Sequence, residues 1–520
     1  MSKRQNDKTE RSDEQTVTPT NPLQDAFIRL EEAERLRLEG KLGRAQKICL
    51  SLLKEHPNYM AALHTLGLIH ADSNDYQQAL NCLVRAAMLN PRSLSTLIAL
   101  SGVYLQLEAN EAAAHALEQA RAIDPQDVNV LVTLGEIYLA EMEYELARDA
   151  FRQGLEIEPD LFPALTGFGW ACSFLGENTQ AVAAFESVLK QDIKSFEPFT
   201  VLATLPSSLL KVDLLAELEK YLSGPRQKNV HETMITFVRA AALDKAGRYA
   251  DAWETVLPVN RKILLEMQDD VRMMKERQNN TLSLLRLNDL KAASRDLDDA
   301  QPITLFVLGP SRSGKTTMEG LVATLDGVKR GYENPCVDTA IRQTFQSSGL
   351  LTNRYFEVLP PQLYPLCRKI YLEELNQRAG SAKVFTNTHP NRIHDAAPIS
   401  LVFPNVRFIF VKRNLEDIAV RIFMRHYQTG NPYAYDMQLI RDHITWYNEM
   451  MDLLAEKLPD HVRIILYEDM VADPAGTLRV AAELCGLPMP QGRVPAVGDD
   501  RGCAEPYRDF IAAALEQSGQ

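Results

Sequence analysis

Positive charge is in short supply. The 520 residues carry 56 Lys and Arg against 69 Asp and Glu, a formal net charge of −13. Such a surface repels polyanions, which argues against general nucleic-acid or anionic-membrane binding and makes any basic pocket a local feature. Cysteine is equally sparse. The seven residues (Cys49, Cys82, Cys172, Cys336, Cys367, Cys485 and Cys503) are scattered, with no CxxC pair and no His cluster beside them. This gives neither a zinc site nor a disulfide framework, and it fits a reducing compartment. No apolar run approaches the roughly 18 residues of a membrane span, and Met1 to Asn21 has no apolar core of the kind a secretory signal needs. The expectation is a soluble cytoplasmic protein with no membrane span and no nucleic-acid partner.

What the chain does have is a period. Pro57, Pro91, Pro125 and Pro159 stand 34 residues apart, as do Ala45, Ala79, Ala113, Ala147 and Ala181. Leu66-Gly67, Leu134-Gly135 and Phe168-Gly169 share one position of the repeat, Tyr104 and Tyr138 another, Phe151 and Phe185 a third. Small residues let two helices touch, and the aromatics fill the gap to the next hairpin. This is the tetratricopeptide pattern, in which a helix pair cannot bury its own face and must stack on neighbours. Five units cover roughly residues 26–193, and a degenerate one shows at Ala240–Val256. Such arrays present concave surfaces, so a protein or peptide partner is expected on the concave face. The domain plan is a disordered polar tail (1–22), a repeat solenoid (23–260), a charged helical connector (261–301), an α/β domain (302–490) and a C-terminal tail (491–520).

From residue 302 apolar strands alternate with helices. The strands are expected at Thr304–Leu308, Lys383–Asn387, Val406–Val411 and Val462–Tyr467. Helices are expected at 314–325, 415–427, 436–457 and 474–485. Alternation predicts a parallel sheet with helices on both faces and a ligand at the carboxyl ends of the strands. The fold class is therefore α plus α/β. The stretch from Gly309 to Thr316 satisfies the G-x-x-x-x-G-K-[ST] phosphate loop between a strand and a helix, with Arg312 and Lys315 adding two positive charges. A Mg-ATP kinase or ATPase is one reading. It needs a carboxylate for the metal after a neighbouring strand. After Val406–Val411 come Lys412 and Arg413, which suit a second phosphate; only the strand Val462–Leu466 leads to acidic residues, Glu468 and Asp469.

A second reading uses more of the domain. Pro310-Ser311-Arg312-Ser313-Gly314-Lys315-Thr316-Thr317 resembles the 5′-phosphosulfate loop of sulfotransferases that use 3′-phosphoadenylyl sulfate. Arg413-Asn414-Leu415-Glu416-Asp417-Ile418-Ala419 resembles that family's 3′-phosphate motif, and Phe403-Pro404-Asn405 is placed as in the lead to its 3′-phosphate strand. Leu466 to Pro474 resembles its Y-E-D-L-V-x-D-P segment, and Cys485-Gly486-Leu487-Pro488 its C-G-L-P ending. Repeats followed by such a domain resemble a bacterial tetratricopeptide-repeat sulfotransferase family related to tyrosylprotein sulfotransferases. The resemblance implies that Ser311, Arg312, Ser313, Gly314, Lys315, Thr316 and Thr317 cradle the 5′-phosphosulfate, that Arg413 binds the 3′-phosphate with Arg421 keeping positive charge near it, and that Tyr467 lines the nucleotide pocket. Arg312 would stabilise charge growing on the leaving phosphate. Glu333 would be the base that takes the acceptor's proton, with His389 the alternative. No metal is implied. The sequence departs from the pattern at Lys315 (Thr in the family), Arg421 (Ser), Thr388 (Lys) and in a short tail after Pro490. Those departures keep open a third reading, a scaffold whose repeats alone work.

Overall fold

The computed structural model describes residues 22–191, 195–224, 231–287, 290, 301–349, 356, 359–403, 405–427, 430–490 and 492–518. Of the tail expected at 1–22, all but Pro22 lies outside them. Two compact units divide at Gly167 and Phe168.

The first unit is made of antiparallel helix pairs: α1 (Pro22–Leu38) with α2 (Leu42–Glu55), α3 (Met60–Asp72) with α4 (Tyr76–Leu89), α5 (Leu94–Gln106) with α6 (Asn110–Ile123), and α7 (Val128–Ala140) with α8 (Tyr144–Ile157), followed by the start of α9 (Phe162–Leu175). The 34-residue alanines are buried without remainder: Ala45, Ala79, Ala113 and Ala147 are each 0 % exposed. Their missing bulk is what lets the paired helices close up. Phe151 shows the complementary case. Its ring fills the space a side chain would take at Gly135 and at Gly167; a Cβ built there would lie 2.7 and 2.2 Å from ring atoms. The period also runs through the backbone. Asn74, Glu108 and Met142, one per hairpin turn, all adopt left-handed φ near +60°.

The second unit continues with α10 (Asn178–Lys190), α11 (Glu197–Leu202), α12 (Leu214–Ser223), α13 (Glu232–Lys245), α14 (Tyr249–Glu266) and α15 (Gln268–Leu287). The sheet region follows: β1 (Ile303–Leu308), α16 (Lys315–Val322), β2 (Val328–Lys329), α17 (Cys336–Ser347), α18 (Tyr364–Ala379), β3 (Val384–Asn387), α19 (Arg392–Val402), β4 (Val406–Lys412), α20 (Leu415–Phe423), α21 (Met437–Lys457), β5 (Val462–Leu466), α22 (Tyr467–Ala472), α23 (Pro474–Cys485) and α24 (Arg508–Ser518). The five strands are parallel in the order β2-β3-β1-β4-β5. Because both faces are covered, the central strands β1 and β4 carry apolar residues on both sides. Phe306, Leu308, Phe408 and Phe410 face one core with α17, α18, α19 and α21. Leu305, Val307, Ile409 and Val411 face the other with α16 and α23.

Two stretches differ in character from their sequence reading. Residues 261–301, expected as a charged helical connector, do contain a helix, α15, but it packs on the sheet region: Leu285 is fully buried in the core with Phe306 and Met450, and Gln278 Nε2 lies 2.8 Å from Nδ1 of buried His443. Its buried positions are partly polar, so an apolar period is not seen. Residues 491–520, expected as a tail, contain α24, and Tyr507 and Ile511 share a core with Trp253 of α14 and Phe423 of α20. Among the described residues no helix is long and apolar enough to cross a membrane.

Candidate active site

The carboxyl ends of β1 to β5 each deliver one part of the site. After β1 the chain makes the loop 309–314 and enters α16 at Lys315. Gly314 has φ +102°, and a Cβ there would lie 2.7 Å from the Tyr467 ring, so both conformation and closeness require glycine. Arg312 is also left-handed, at φ +66°, and its side chain is exposed, as are Thr316 and Thr317 in the first turn of α16. Tyr447 from α21 pins the loop from below. Its hydroxyl accepts from the Gly309 N–H (3.2 Å) and donates to the Pro390 carbonyl (3.1 Å). Ser311 Oγ pairs with the Tyr427 hydroxyl at 2.9 Å. Ser313 Oγ is buried and has no hydrogen-bond partner among the described residues. Lys315 donates to the Gly309 carbonyl at 3.0 Å, and desolvation pushes its pKa down to about 8 against the pull of Glu333.

Glu333 follows β2, in a loop held by a residue the sequence reading passed over. Glu319 of α16 is fully buried and accepts from the Tyr332 N–H (3.0 Å), the Thr386 hydroxyl and Arg330 (3.1 Å). These bonds fix the loop that presents Glu333. Desolvation raises the Glu333 carboxyl above its usual range, Lys315 opposes the rise and Glu319 adds to it. His389 follows β3. Its Nδ1 accepts from the Asn391 N–H at 3.3 Å, and desolvation, with Arg392 next, lowers its pKa to about 4. The ring is neutral at pH 7, with the proton on Nε2. It therefore offers a donor and only weak basicity.

Arg413 follows β4 and Tyr467 follows β5. The guanidinium of Arg413 stacks over the Tyr467 ring at 4.3 Å, is 4 % exposed and donates to the Arg312 carbonyl at 3.3 Å. The two cationic places thus adjoin. Its Nε is buried and has no hydrogen-bond partner among the described residues. Arg421, two turns along α20, points to the same spot. What meets both is Asp500, from the stretch read as a tail. Arg421 donates to both its carboxylate oxygens, at 3.2 and 2.6 Å, and Arg413 to one, at 3.0 Å. Burial opposes ionisation of Asp500, but the Arg421 and Arg413 hydrogen bonds outweigh it and hold its pKa below the ordinary value. Glu468, the carboxylate offered for a metal in the kinase reading, accepts from the Asn414 N–H at 2.9 Å.

Every residue singled out from the sequence except Arg421 thus lies on a strand-end loop or in the first turn after it. The arrangement is a strand–helix loop with a half-buried lysine, a second cationic place one residue contact away, an aromatic ring between them, and a carboxyl that desolvation raises and the loop lysine pulls down. It can hold two anionic groups and accept a proton next to one of them.

Comparison with known proteins identifies families for both parts of the chain. The Sulfotransferase family model matches residues 302–491, and Tetratricopeptide repeat models match 60–93 and 104–166. An uncharacterised protein of Aquifex aeolicus (strain VF5) is 22 % identical over 311 residues, covering 55 % of this chain and 40 % of its own length. Protein-tyrosine sulfotransferase 2 of Gallus gallus is 22 % identical over 191 residues, covering 35 % of this chain and 51 % of its own. The chain spans about half or less of the length of these relatives. Among solved structures, that of MamA overlays 32 % of this chain and 90 % of its own at 24 % identity with a TM-score of 0.30. Residues 302–491 are a sulfotransferase-family domain, joined in one chain to tetratricopeptide repeats.

Proposed function

We propose that the protein transfers a sulfuryl group from 3′-phosphoadenylyl sulfate to a hydroxyl acceptor, and that its repeats dock the protein or peptide carrying that acceptor. The carrying observation is the adjacency of two anion sites, the loop 309–317 and the Arg413–Arg421 pair, bridged by the contact of Arg413 with the Arg312 carbonyl. The residues present fit such a donor. Ser313 Oγ and Arg413 Nε are buried polar atoms without partners among the described residues, and groups of that kind are costly unless a ligand takes them up.

The donor supplies an activated sulfuryl group and leaves as adenosine 3′,5′-bisphosphate. Lys315, Arg312 and the backbone N–H groups of the loop hold the 5′ end and stabilise the negative charge that grows on the phosphate as it leaves. Arg413 and Arg421 hold the 3′-phosphate, and the Tyr467 ring packs beneath Arg413 to line the nucleotide pocket. Glu333 accepts the proton of the attacking hydroxyl, helped by a pKa that desolvation raises above its ordinary value. No step in this scheme calls on a metal. A protein tyrosine is the acceptor to test first, because one of the matched relatives bears that name.

The test is calorimetric titration with adenosine 3′,5′-bisphosphate, run beside Mg-ATP, on wild type, Arg413→Ala and Glu333→Gln. Bisphosphate binding that Arg413→Ala abolishes and Glu333→Gln retains is the expected result, with sulfuryl transfer lost in Glu333→Gln. Preference for Mg-ATP would replace this reading with a kinase. Binding of neither would leave the repeats as the working part.

A further inference from the structure

Asp500 occupies the place this reading gives to the donor's 3′-phosphate, and the chain around it is built to put it there. Four anchors hold the strap from Gly498 to Ala504. The Tyr467 hydroxyl donates to the Gly498 carbonyl at 2.9 Å and accepts from the Asp500 N–H at 3.2 Å. The Asp417 carboxylate accepts from the Gly502 N–H at 2.8 Å and the Ala504 N–H at 3.0 Å. Of the two adjacent aspartates only one turns inward. Asp499 is exposed and pairs with its neighbour Arg501, whereas Asp500 is half-buried between Arg413 and Arg421.

A carboxylate bridging two guanidinium groups has the charge sign and the fork geometry of a bound phosphate. Arg413 also donates to the Asp500 backbone carbonyl, so the ligand's outer phosphate and this residue compete for the same donors. A phosphate brings more charge and one more acceptor oxygen than a carboxylate, and it can displace Asp500. A nucleotide without that phosphate has nothing to exchange for the pair.

We propose that Asp500 is a specificity-determining residue: a built-in counter-anion that a nucleotide must displace with a second phosphate in order to bind fully, swinging the 498–504 strap off Arg413 and Arg421. The inference rests on the two-anion reading of the site, and its test separates the two.

Wild type and Asp500→Asn are titrated with adenosine 3′,5′-bisphosphate and with adenosine 5′-monophosphate, which lacks the second phosphate. Removing the competing charge should tighten the bisphosphate by about tenfold or more, the scale of a lost charge-assisted hydrogen bond, and leave the monophosphate unchanged. Equal or weaker bisphosphate binding in Asp500→Asn, with wild type binding normally, would make Asp500 a fixed structural partner of the arginines and overturn the proposal alone. Equal tightening of both nucleotides would overturn it too, since the effect would then be general electrostatics. Failure of both proteins to bind the bisphosphate would remove the two-anion reading and this proposal with it. Hydrogen exchange on the wild-type protein gives an independent readout if the variant is unstable. Bisphosphate should speed exchange at the Asp500, Gly502 and Ala504 amides; slower exchange there would show the strap closing on the ligand instead of leaving it.

Discussion

Lys315 carries the sharpest consequence at the scale of single residues. Its ammonium is held against the Gly309 carbonyl, with a pKa lowered to about 8 mainly by desolvation. An anion in the loop interacts with the charged form, so apparent affinity holds while the lysine is protonated and falls as pH rises through that value. One required proton predicts about a tenfold loss of bisphosphate affinity from about pH 7 to about pH 9. Lys315→Arg, charged throughout, should flatten that slope; titrations across the range decide it, and a flat wild-type profile would mean that Lys315 does not face the anion. The residues of the loop and Arg413 were legible because a short motif brings each to a strand end. Glu319 was not. A glutamate one turn into a helix reads as a solvated charge, and only the Arg330, Tyr332 and Thr386 contacts, made from two other segments, reveal a buried anchor. Asp500 was hidden for the same reason, since its partners Arg413 and Arg421 lie far upstream.

At the scale of elements the repeats were the most legible part, because each hairpin packs only on its neighbours and leaves its signature every 34 residues. The tightest point of that packing is the Phe151 ring between Gly135 and Gly167. Gly167→Ala forces a methyl group into a fully buried ring, and overpacking of this kind costs about 1–3 kcal/mol. Chemical denaturation followed by far-UV circular dichroism should show that loss; an unchanged midpoint would mean that the ring yields freely. The sheet strands were legible as apolar runs, save β2, whose two residues are too few for a pattern. Helices α17, α18 and α19 carry no motif. In α15 the positions that enter the core include Gln278 and Thr281, paired with His443 and His394. Buried polar pairs erase the apolar period on which a sequence reading depends.

At the scale of the molecule, the distribution of tryptophan offers a reporter. Trp170, Trp253 and Trp446 all fall in the unit from Phe168 onward, so tryptophan fluorescence, excited apart from tyrosine, follows that unit. A ligand that binds only the folded state stabilises it by about 2.7 kcal/mol at a hundred times its Kd. The fluorescence-detected midpoint should therefore rise by several degrees with bisphosphate in wild type and stay fixed in Arg413→Ala. A rise in both would place the ligand away from Arg413. The order of the strands has a further consequence, for synthesis. β1 lies between β3 and β4, and its partners begin only at Val384 and Val406. A helical hairpin can close soon after it leaves the ribosome, whereas the uncharged hexapeptide Ile303–Leu308 must wait about a hundred residues for its second neighbour. During that interval its unpaired backbone and apolar side chains are open to other chains. Slow translation across 309–405 should therefore send more of the nascent protein into aggregates than the same delay within the repeats.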